Sequence, residues 1–330
     1  MKRKLVPALL ALLLLTGCGK QTASFFAMDT VMEFTIYGEE DLLEGAMAVI
    51  TELEKQVSTT DPSSQIYAIN ESGSGRLAGS AAELMAGALD MCRRTGGALD
   101  LSIYPVVRAW GFTTGEYQVP EAETLHELLG HVDYTRIGYD AAGNVALEDG
   151  MMIDLGSVAK GYAGTLAAAY LRENGVRSAL LNLGGNVQTV GAKPDGAPWR
   201  IAVKDPASGE PMLVLSVQDQ AVVTSGGYER YFEQNGQTYW HIIDPATGCP
   251  ADSGLASVTV VGEDGLVCDG LSTALFILGL EGASELWRSS GDFEAVFITD
   301  EGAVYITEGL QGSFTLLDGW KGRQVGIVER

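Results

Sequence analysis

The stretch "ERYFEQNGQTYWHIID", residues 229–244, is the clearest indication of the fold class of this chain. Two runs rich in aromatic and β-branched residues flank Asn235-Gly236, a dipeptide typical of two-residue β-hairpin turns. The second run is therefore a returning strand, and His241 lies near its end. Pro245 has no backbone N–H to donate, so the chain leaves the sheet at this point.

Segments of both structural types surround this hairpin. Strands joined in hairpins, together with a few helices, predict an α+β fold with mixed, largely antiparallel sheets and flanking helices. The predicted strand segments are "SFFAMDTVMEFTIYG", "MMIDLG", "SALLNLGG", "RIAVKDP", "LVLSVQDQAVVTSGG", "SVTVVGED", "AVFIT", "AVYITEG" and "SFTLL". The predicted helices are "EEDLLEGAMAVITELEKQVS", "AAELMAGALDMCRRTGG", "LHELLGHV", "SVAKGYAGTLAAAYLRENG" and "DGLSTALFILG".

The charge of the chain limits its partners. The 330 residues include 21 basic and 43 acidic side chains, a net charge of −22, and 46% of the residues are apolar. Such a chain can bury a large core. Its charge repels nucleic acid, so we expect no nucleic-acid partner.

The N-terminus has the features of an export signal. "MKRK" is followed by the apolar run "LVPALLALLLLT", and "LTGC" ending at Cys18 resembles the bacterial lipobox. We therefore expect a signal peptide at residues 1–17, a lipid on Cys18, a polar tether at 18–24 and one catalytic domain at 25–330. The expected location is the cell membrane, with the protein lipid-anchored on its periplasmic or extracellular side. A plain signal peptide with an accidental cysteine is the alternative.

Three cysteines remain if Cys18 carries lipid. Cys92, Cys249 and Cys268 have no CxxC spacing, so they form neither a zinc motif nor a disulfide framework. We expect all three to be buried as small apolar side chains.

A glycine loop before a helix indicates an anion site in "IDLGSVAKGYAG". A strand is predicted to end at Ile153, Asp154 to lie in a tight loop, Ser157 to cap the helix and Lys160 to lie in its first turn. Free amides, the helix dipole and a lysine suit a phosphate group. An ordinary capped helix is the alternative, because the segment is neither a P-loop nor GxGxxG.

The segment "CDGLSTALFILG" places two oxygen-bearing side chains one turn apart. In a helix that starts near Asp269, this carboxylate and the Thr273 hydroxyl share a face. Hard oxygen ligands of this kind suit Mg²⁺. The alternative is that Asp269 caps the helix and Thr273 bonds to the preceding turn. The positions expected to face the core are Leu271, Ala274, Leu275 and Leu278.

Two further features have both a structural and a functional interpretation. His241 at a strand end is well placed for a cleft, although a lone histidine is more often structural. In "GGALDLSIYPVVRAWGF", Tyr104, Trp110 and Phe112 would either enclose a planar ring or pack in the core.

Taken together and in order, these segments resemble the FAD:protein FMN transferases, the ApbE family. The resemblance covers Phe25 to Gly279. It is carried by "FFAMDTVMEFTIYG", "DPSSQIYAIN", "GGALDLSIYPVVRAWGF", "IDLGSVAKGYA", "LLNLGGNVQTVG", "AVVTSGGYERYF", "HIIDPATGCP" and "CDGLSTALFILG". It implies a T-fold-related architecture and an enzyme outside the cytoplasm. That enzyme splits FAD, joins FMN to a threonine hydroxyl of another protein and releases AMP.

The resemblance also assigns roles to residues. It implies that Met28, Ala98, Leu99, Asp100, Asp154 and Lys160 contact FAD. It implies that the Ser157 carbonyl, Asp269 and Thr273 hold Mg²⁺, and that His241, oriented by Asp244, assists deprotonation of the acceptor threonine. Which of His241 and Asp244 removes the proton stays open. The implied acceptor is a flavoprotein, either a subunit of a membrane redox complex or an extracellular reductase.

The chain departs from the family pattern at three positions. "MDT" stands for the frequent "MGT", Thr60 replaces a common tyrosine, and Thr165 follows Gly164 where an aspartate is often found. Three other functions remain as alternatives: an FAD pyrophosphatase that uses water, a flavin carrier without turnover, and a chain that is itself the acceptor. The last is disfavoured because Leu275 stands in "DGLSTAL" where acceptor motifs of the form D-G-x-S/T-x-A-T carry threonine.

Overall fold

The structure is a computed structural model that describes residues 19–330, so the predicted signal peptide and Cys18 lie outside the described residues. The strands are β1 (Lys20–Ala27), β2 (Thr30–Tyr37), β3 (Ser74–Arg76), β4 (Gly138–Tyr139), β5 (Asn144–Ala146), β6 (Ala179–Leu183), β7 (Asn186–Val190), β8 (Trp199–Lys204), β9 (Pro211–Val217), β10 (Ala221–Gly226), β11 (Tyr231–Gln234), β12 (Gln237–Trp240), β13 (Leu255–Gly262), β14 (Phe293–Thr299), β15 (Val304–Thr307), β16 (Phe314–Leu316) and β17 (Val325–Val328). The helices are α1 (Glu40–Val57), α2 (Gln65–Ser72), α3 (Ser80–Arg94), α4 (Tyr104–Ala109), α5 (Ala122–Leu129), α6 (Gly156–Glu173) and α7 (Gly265–Ser289).

A nine-stranded sheet in the order β1-β2-β6-β7-β10-β13-β14-β15-β17 is the centre of the fold. Its neighbouring strands are antiparallel except for the parallel pair β15–β17, which confirms the predicted α+β class. Helices α1, α3, α6 and α7 cover one face and enclose the main core. The sheet β16-β9-β8 contributes to a second apolar cluster together with β10, β13, β14 and β15.

The predicted first strand is in fact a hairpin. β1 and β2 pair in register and turn at Met28 and Asp29, whose φ angles are 48° and 58°. Two consecutive left-handed residues match the right-handed twist of the strands. Neither residue is glycine or asparagine, so the sequence carries no turn signal here. The predicted polar tether is also wrong for most of its length, because β1 begins at Lys20.

The strand predicted to precede α6 is absent from this part of the described chain. Residues 151–155 are irregular. The Asn70 side chain bonds both backbone groups of Ile153: its amide nitrogen donates to the carbonyl at 2.9 Å, and its oxygen accepts the N–H at 2.8 Å. The Asn70 side chain from α2 thus makes the backbone hydrogen bonds that a neighbouring strand would otherwise make.

Helix α7 starts earlier and extends further than predicted. It is capped by Asp264, which accepts from the Leu266 amide, and it kinks at Gly279. By length and composition it could cross a membrane, but most of it is buried inside the fold, as in a core helix. Leu278, expected to face the core, is 37% exposed.

The cysteines differ from the prediction at one position. Cys92 and Cys268 are buried, but Cys249 is exposed in the loop that follows β12. The buried pair fills core positions in α3 and α7, whereas Cys249 lies in a polar turn.

Helices α6 and α7 approach each other closely at two glycines. A Cβ atom built on Gly161 would lie 2.0 Å from the Gly265 carbonyl oxygen and 2.6 Å from the Asp269 Cβ. A Cβ on Gly265 would lie 2.3 Å from the Gly161 carbonyl oxygen. Only glycine permits this contact, which brings the first turns of the two helices together.

Substitution Gly161→Ala should therefore separate the two helices. We expect it to lower the free energy of unfolding by about 1–3 kcal/mol, the usual cost of overpacking a core. Urea denaturation measures this. Gly164→Ala in the same helix is the matched control, since its Cβ would meet no atom closer than the Gln188 Cβ at 3.3 Å. Equal losses in both variants would contradict the proposed role of the α6–α7 contact.

Candidate active site

A cavity of about 470 Å³ opens where the first turns of α6 and α7 meet the β1–β2 turn and the end of β12. It brings together ten of the eleven residues predicted for catalysis, FAD and metal: Met28, Ala98, Leu99, Asp100, Asp154, Ser157, Lys160, His241, Asp269 and Thr273. Asp244 is the exception among them, although its neighbour Pro245 lines the cavity.

The predicted metal ligands are linked through one amide. The Gly161 N–H donates to Asp269 Oδ2 at 2.8 Å. In a regular helix this N–H belongs to the carbonyl four residues earlier, that of Ser157. The Asp269 carboxylate therefore competes with the Ser157 carbonyl for this N–H. Asp269 and Thr273 lie one turn apart on α7 and both face the cavity, as predicted.

The set of donor groups fits a hard cation. Within residues 19–330, no three side chains of the histidine, cysteine, aspartate and glutamate types come together as a metal cluster. One carboxylate, one hydroxyl and one carbonyl oxygen suit Mg²⁺, which usually completes its shell with water and phosphate oxygens. Burial raises the pKa of Asp269, while nearby Lys160, the Gly161 amide and the amide of Asn186 oppose the rise. A bound cation would further stabilise the ionised form of this buried carboxylate.

A hydroxyl group to which the sequence assigns no role in metal binding extends this site. Ser225 Oγ on β10 is 2.8 Å from Ser272 Oγ and 3.4 Å from Thr273 Oγ1. The contact with Ser272 joins the sheet to α7 and places the Ser225 hydroxyl beside the predicted ligand Thr273. The segment "TSGG" contains the serine, but its position next to α7 depends on strand pairing between distant segments.

The prediction that Ser157 caps α6 is wrong: the N-cap position is Leu155, and no side chain caps the helix there. Asp154 Oδ1 accepts the Gly156 N–H at 2.9 Å, and Ser157 lies inside the helix. Burial raises the pKa of Asp154, and the charges of Lys160 and Arg230 lower it. The carboxylate is thus used to shape the loop, with two cations beside it.

Arg230 is a second residue that the sequence reasoning missed. It lines the cavity, and its charge acts on both Asp154 and His241. With Lys160 it gives this acidic protein a local positive field at the point where phosphates would lie. A single arginine between strand residues carries no signal in the sequence.

His241 follows β12 directly and is held by a backbone carbonyl. The backbone N–H of His241 donates to the Arg230 carbonyl at 3.1 Å, and the ring nitrogen Nδ1 is 3.2 Å from the same oxygen. A carbonyl oxygen only accepts, so Nδ1 carries the proton and Nε2 is left as the basic nitrogen. Burial, with the charges of Lys160 and Arg230, lowers the pKa of His241 to about 4. The imidazole is therefore neutral near pH 7, with Nε2 unprotonated.

Asp244 does not orient His241, contrary to the prediction. Its Oδ1 accepts the Ala246 N–H at 2.9 Å and its Oδ2 lies 3.4 Å from Thr247 Oγ1, both within the same turn. The turn is also held by Trp110, whose Nε1 donates to the Gly248 carbonyl at 2.8 Å. Asp244 thus shapes the loop that follows His241.

The predicted flavin-contacting segment is rigidly supported. Asp100 accepts from the Ser102 amide and hydroxyl at 2.8 and 2.6 Å and from the Tyr134 amide at 3.0 Å. Burial raises its pKa, and these bonds oppose the rise. The Asp100 carboxylate is thus occupied by hydrogen bonds within the protein. These bonds hold Ala98 and Leu99 at the cavity wall.

Aromatic residues contribute less to the cavity than expected. Tyr104 and Trp110 are buried in the core, and of the three only Phe112 lines the cavity. Its ring lies edge-on to His241 with centroids 6.4 Å apart. On the opposite side, the Met28 N–H donates to Glu54 Oε1 at 2.7 Å, which holds the left-handed turn at the cavity mouth.

Comparison with known proteins decides the family. The sequence profile of the ApbE family matches residues 28–297. The chain belongs to the ApbE family. It is 38% identical to an FAD:protein FMN transferase of Klebsiella pneumoniae over 67% of this chain and 69% of that protein. It is 31% identical to one of Treponema pallidum over 84% of this chain and 82% of that protein.

The fold agrees with this membership. The crystal structure of the ApbE protein from Thermotoga maritima superimposes with a TM-score of 0.84 at 29% identity, covering 89% of this chain and 99% of that one. The ApbE architecture predicted from the sequence is thereby confirmed. Thr60, which stands where many ApbE proteins have tyrosine, lines the cavity, so this wall presents a hydroxyl and no ring.

The state of His241 can be measured by NMR. We expect its imidazole signals to titrate with a midpoint near pH 4 in the free protein, because burial and two cations disfavour the protonated form. Lys160→Met removes one cation and should raise the midpoint. Lys193→Met, beside Trp199 and outside the cavity, should leave it unchanged. A midpoint near the ordinary value of about 6.5 would contradict this account.

Proposed function

We propose that this protein is an Mg²⁺-dependent FAD:protein FMN transferase. It transfers FMN from FAD to a threonine hydroxyl of an acceptor flavoprotein and releases AMP. The observation that supports this most strongly is the convergence of Asp269, Thr273 and the Ser157 carbonyl with Lys160 and His241 in one cavity. The relatives named FAD:protein FMN transferase support the same activity.

The reaction exchanges the phosphoanhydride bond of FAD for a phosphoester bond to threonine. The threonine Oγ bonds to the phosphorus of the FMN half, the bond from that phosphorus to the bridging oxygen breaks, and AMP leaves with the bridging oxygen. The proton of the threonine passes to Nε2 of His241, which the Arg230 carbonyl holds in the required tautomer. This geometry favours His241 over Asp244 as the base, because the carboxylate of Asp244 bonds within its own turn.

Charge at the phosphates is the main obstacle in a protein with a net charge of −22. Lys160, Arg230 and the amides at the start of α6 supply positive potential at the cavity. When bound to Asp269, Thr273 and the Ser157 carbonyl, Mg²⁺ would neutralise charge on both phosphates and on departing AMP. The bound FAD itself raises the proton affinity of His241, because its phosphates offset the two cations that lower it.

The test is transfer of flavin mass from FAD to a recombinant acceptor domain that bears a D-G-x-S/T-x-A-T segment, with Mg²⁺ present. We expect His241→Ala and Asp269→Ala each to lower the rate at least about a hundredfold, the scale for losing a general base or a preorganised charge. His126→Ala, an exposed histidine on α5, is the matched control and should keep the wild-type rate. If both cavity variants keep that rate too, the assignment of the site is wrong.

The same mixture without the acceptor separates the alternative functions. A transferase releases AMP rapidly only when the acceptor is present. Equal AMP release in its absence would identify an FAD pyrophosphatase that uses water. FAD that stays intact with both Mg²⁺ and acceptor would identify a flavin carrier. Flavin mass on the purified enzyme would show that the chain is its own acceptor.

The location is a second part of the proposal. Cys18 in "LTGC" supports a lipid anchor at the membrane, outside the cytoplasm, next to a membrane redox subunit or an extracellular reductase as acceptor. This location brings the enzyme close to membrane-bound acceptors.

Substitution Cys18→Ser should move the protein from the membrane to the soluble fraction and abolish incorporation of labelled fatty acid. Cys249→Ser, at the exposed cysteine, is the control and should leave both unchanged. Cell fractionation and metabolic labelling provide the readouts. Membrane retention of the Cys18→Ser protein would rule out lipid anchoring at this residue.

A further inference from the structure

Two large apolar side chains are exposed beside the cavity. Phe26 is 69% exposed and Val31 is 57% exposed, the highest values among the large apolar residues of the described chain. They are direct cross-strand partners in the β1–β2 hairpin and therefore stand side by side on one face of the sheet. We call this pair the hairpin patch.

The hairpin patch is the exposed apolar part of a sheet face that is otherwise polar or covered. Residues two apart on a strand share a face, and the other positions on this face are polar or covered. Lys20, Thr22, Ser24, Glu33 and Thr35 are polar, and Tyr37 packs against the second apolar cluster. Apolar exposure is thus confined to the end of the hairpin at the cavity. The opposite face is ordinary core, where Phe25 packs edge-on against Phe34.

The patch is continuous with the cavity mouth. Met28, Asp29 and Thr30 form the turn between the two patch residues along the chain, and all three line the cavity. The turn is fixed by the hydrogen bond from Met28 to Glu54. A molecule that reaches the cavity from this side therefore passes over the patch. β1 is also the edge strand of the nine-stranded sheet, so one row of its backbone groups faces outward.

We infer that the hairpin patch is the surface on which the acceptor protein docks during flavin transfer. This inference rests on the proposed function, which requires a protein to bring a threonine hydroxyl to the cavity. Exposed aromatic side chains such as Phe26 are enriched in the buried centres of protein interfaces. The matching surface of the acceptor is apolar and lies beside its threonine segment.

FAD and a lipid surface, the two other candidate occupants of the hairpin patch, fit it less well. FAD is accommodated by the cavity, whose wall includes Lys160 and Arg230 for its phosphates, and the patch lies outside that wall. A lipid surface would have to meet Glu33, which is exposed on the same face, in a chain with a net charge of −22. A folded protein can complement an apolar pair and a nearby carboxylate together.

The experiment measures transfer kinetics against the concentration of the acceptor domain used above. We expect Phe26→Ser to raise the KM for this domain about tenfold and Phe26→Ser/Val31→Ser to raise it further, the scale for truncating an interface anchor. Maximal kcat and the affinity for FAD, measured by flavin fluorescence, should stay at the wild-type level. Phe26→Leu should restore most of the affinity for the acceptor, because it keeps an apolar side chain.

Ile327→Ser is the matched control. Ile327 is 39% exposed on β17, the opposite edge strand of the same sheet, and should leave the KM unchanged. An unchanged KM in the double variant overturns the docking surface while leaving the proposed function intact. An absence of transfer by the wild-type enzyme instead refutes the proposed function.

Two further measurements address the other occupants. If the double variant loses binding to phosphatidylcholine vesicles while its KM for the acceptor is unchanged, the patch contacts lipid and the inference is wrong. If sedimentation shows a wild-type dimer that the double variant lacks, again with an unchanged KM, the patch joins two copies of the chain. Both substitutions are at exposed positions, and circular dichroism verifies that the variants are folded.

Discussion

The amide of Gly161 donates to Asp269 across the contact between α6 and α7, and the geometry of the cavity follows from this bond. The bond exists because two glycines let the helix backbones touch. It holds the carboxylate against the first turn of α6, where the Ser157 carbonyl and Lys160 are located. Thr273 follows one turn later on α7, and Ser225 ties it to the sheet. One close helix contact thus positions every predicted metal ligand and the positively charged side chain of Lys160.

His241 is controlled separately from this cation site. The Arg230 carbonyl selects its tautomer, while burial and two positive side chains keep the free imidazole neutral. The same cations that lower the pKa of His241 are those that would pair with phosphate oxygens. Under the proposed mechanism, binding of the dinucleotide would therefore raise the proton affinity of His241 and link substrate binding to deprotonation through charge.

The sequence predicts local features better than distant ones. The turn at Asn235-Gly236 and the pairing of Asp269 with Thr273 depend on neighbours within a few residues, and both were predicted. The β1–β2 turn was missed because Met28 and Asp29 carry no turn signal. The strand at Ile153 was wrong because the partner of its backbone is Asn70, 83 residues away. The orientation of His241 was assigned to a carboxylate because a backbone carbonyl leaves no trace in a sequence.

If Cys18 carries the proposed lipid, the start of β1 sets how far the enzyme can reach from a membrane. Lys20 is already paired with Tyr37 in the sheet, so Gly19 alone separates the rigid fold from Cys18. A lipid on Cys18 would therefore hold the folded body with almost no slack. The eight residues of β1 span about 26 Å at the usual rise of a strand, and the cavity mouth lies at their far end. With the proposed anchor, the enzyme would serve acceptors whose threonine is presented at a fixed height above the bilayer.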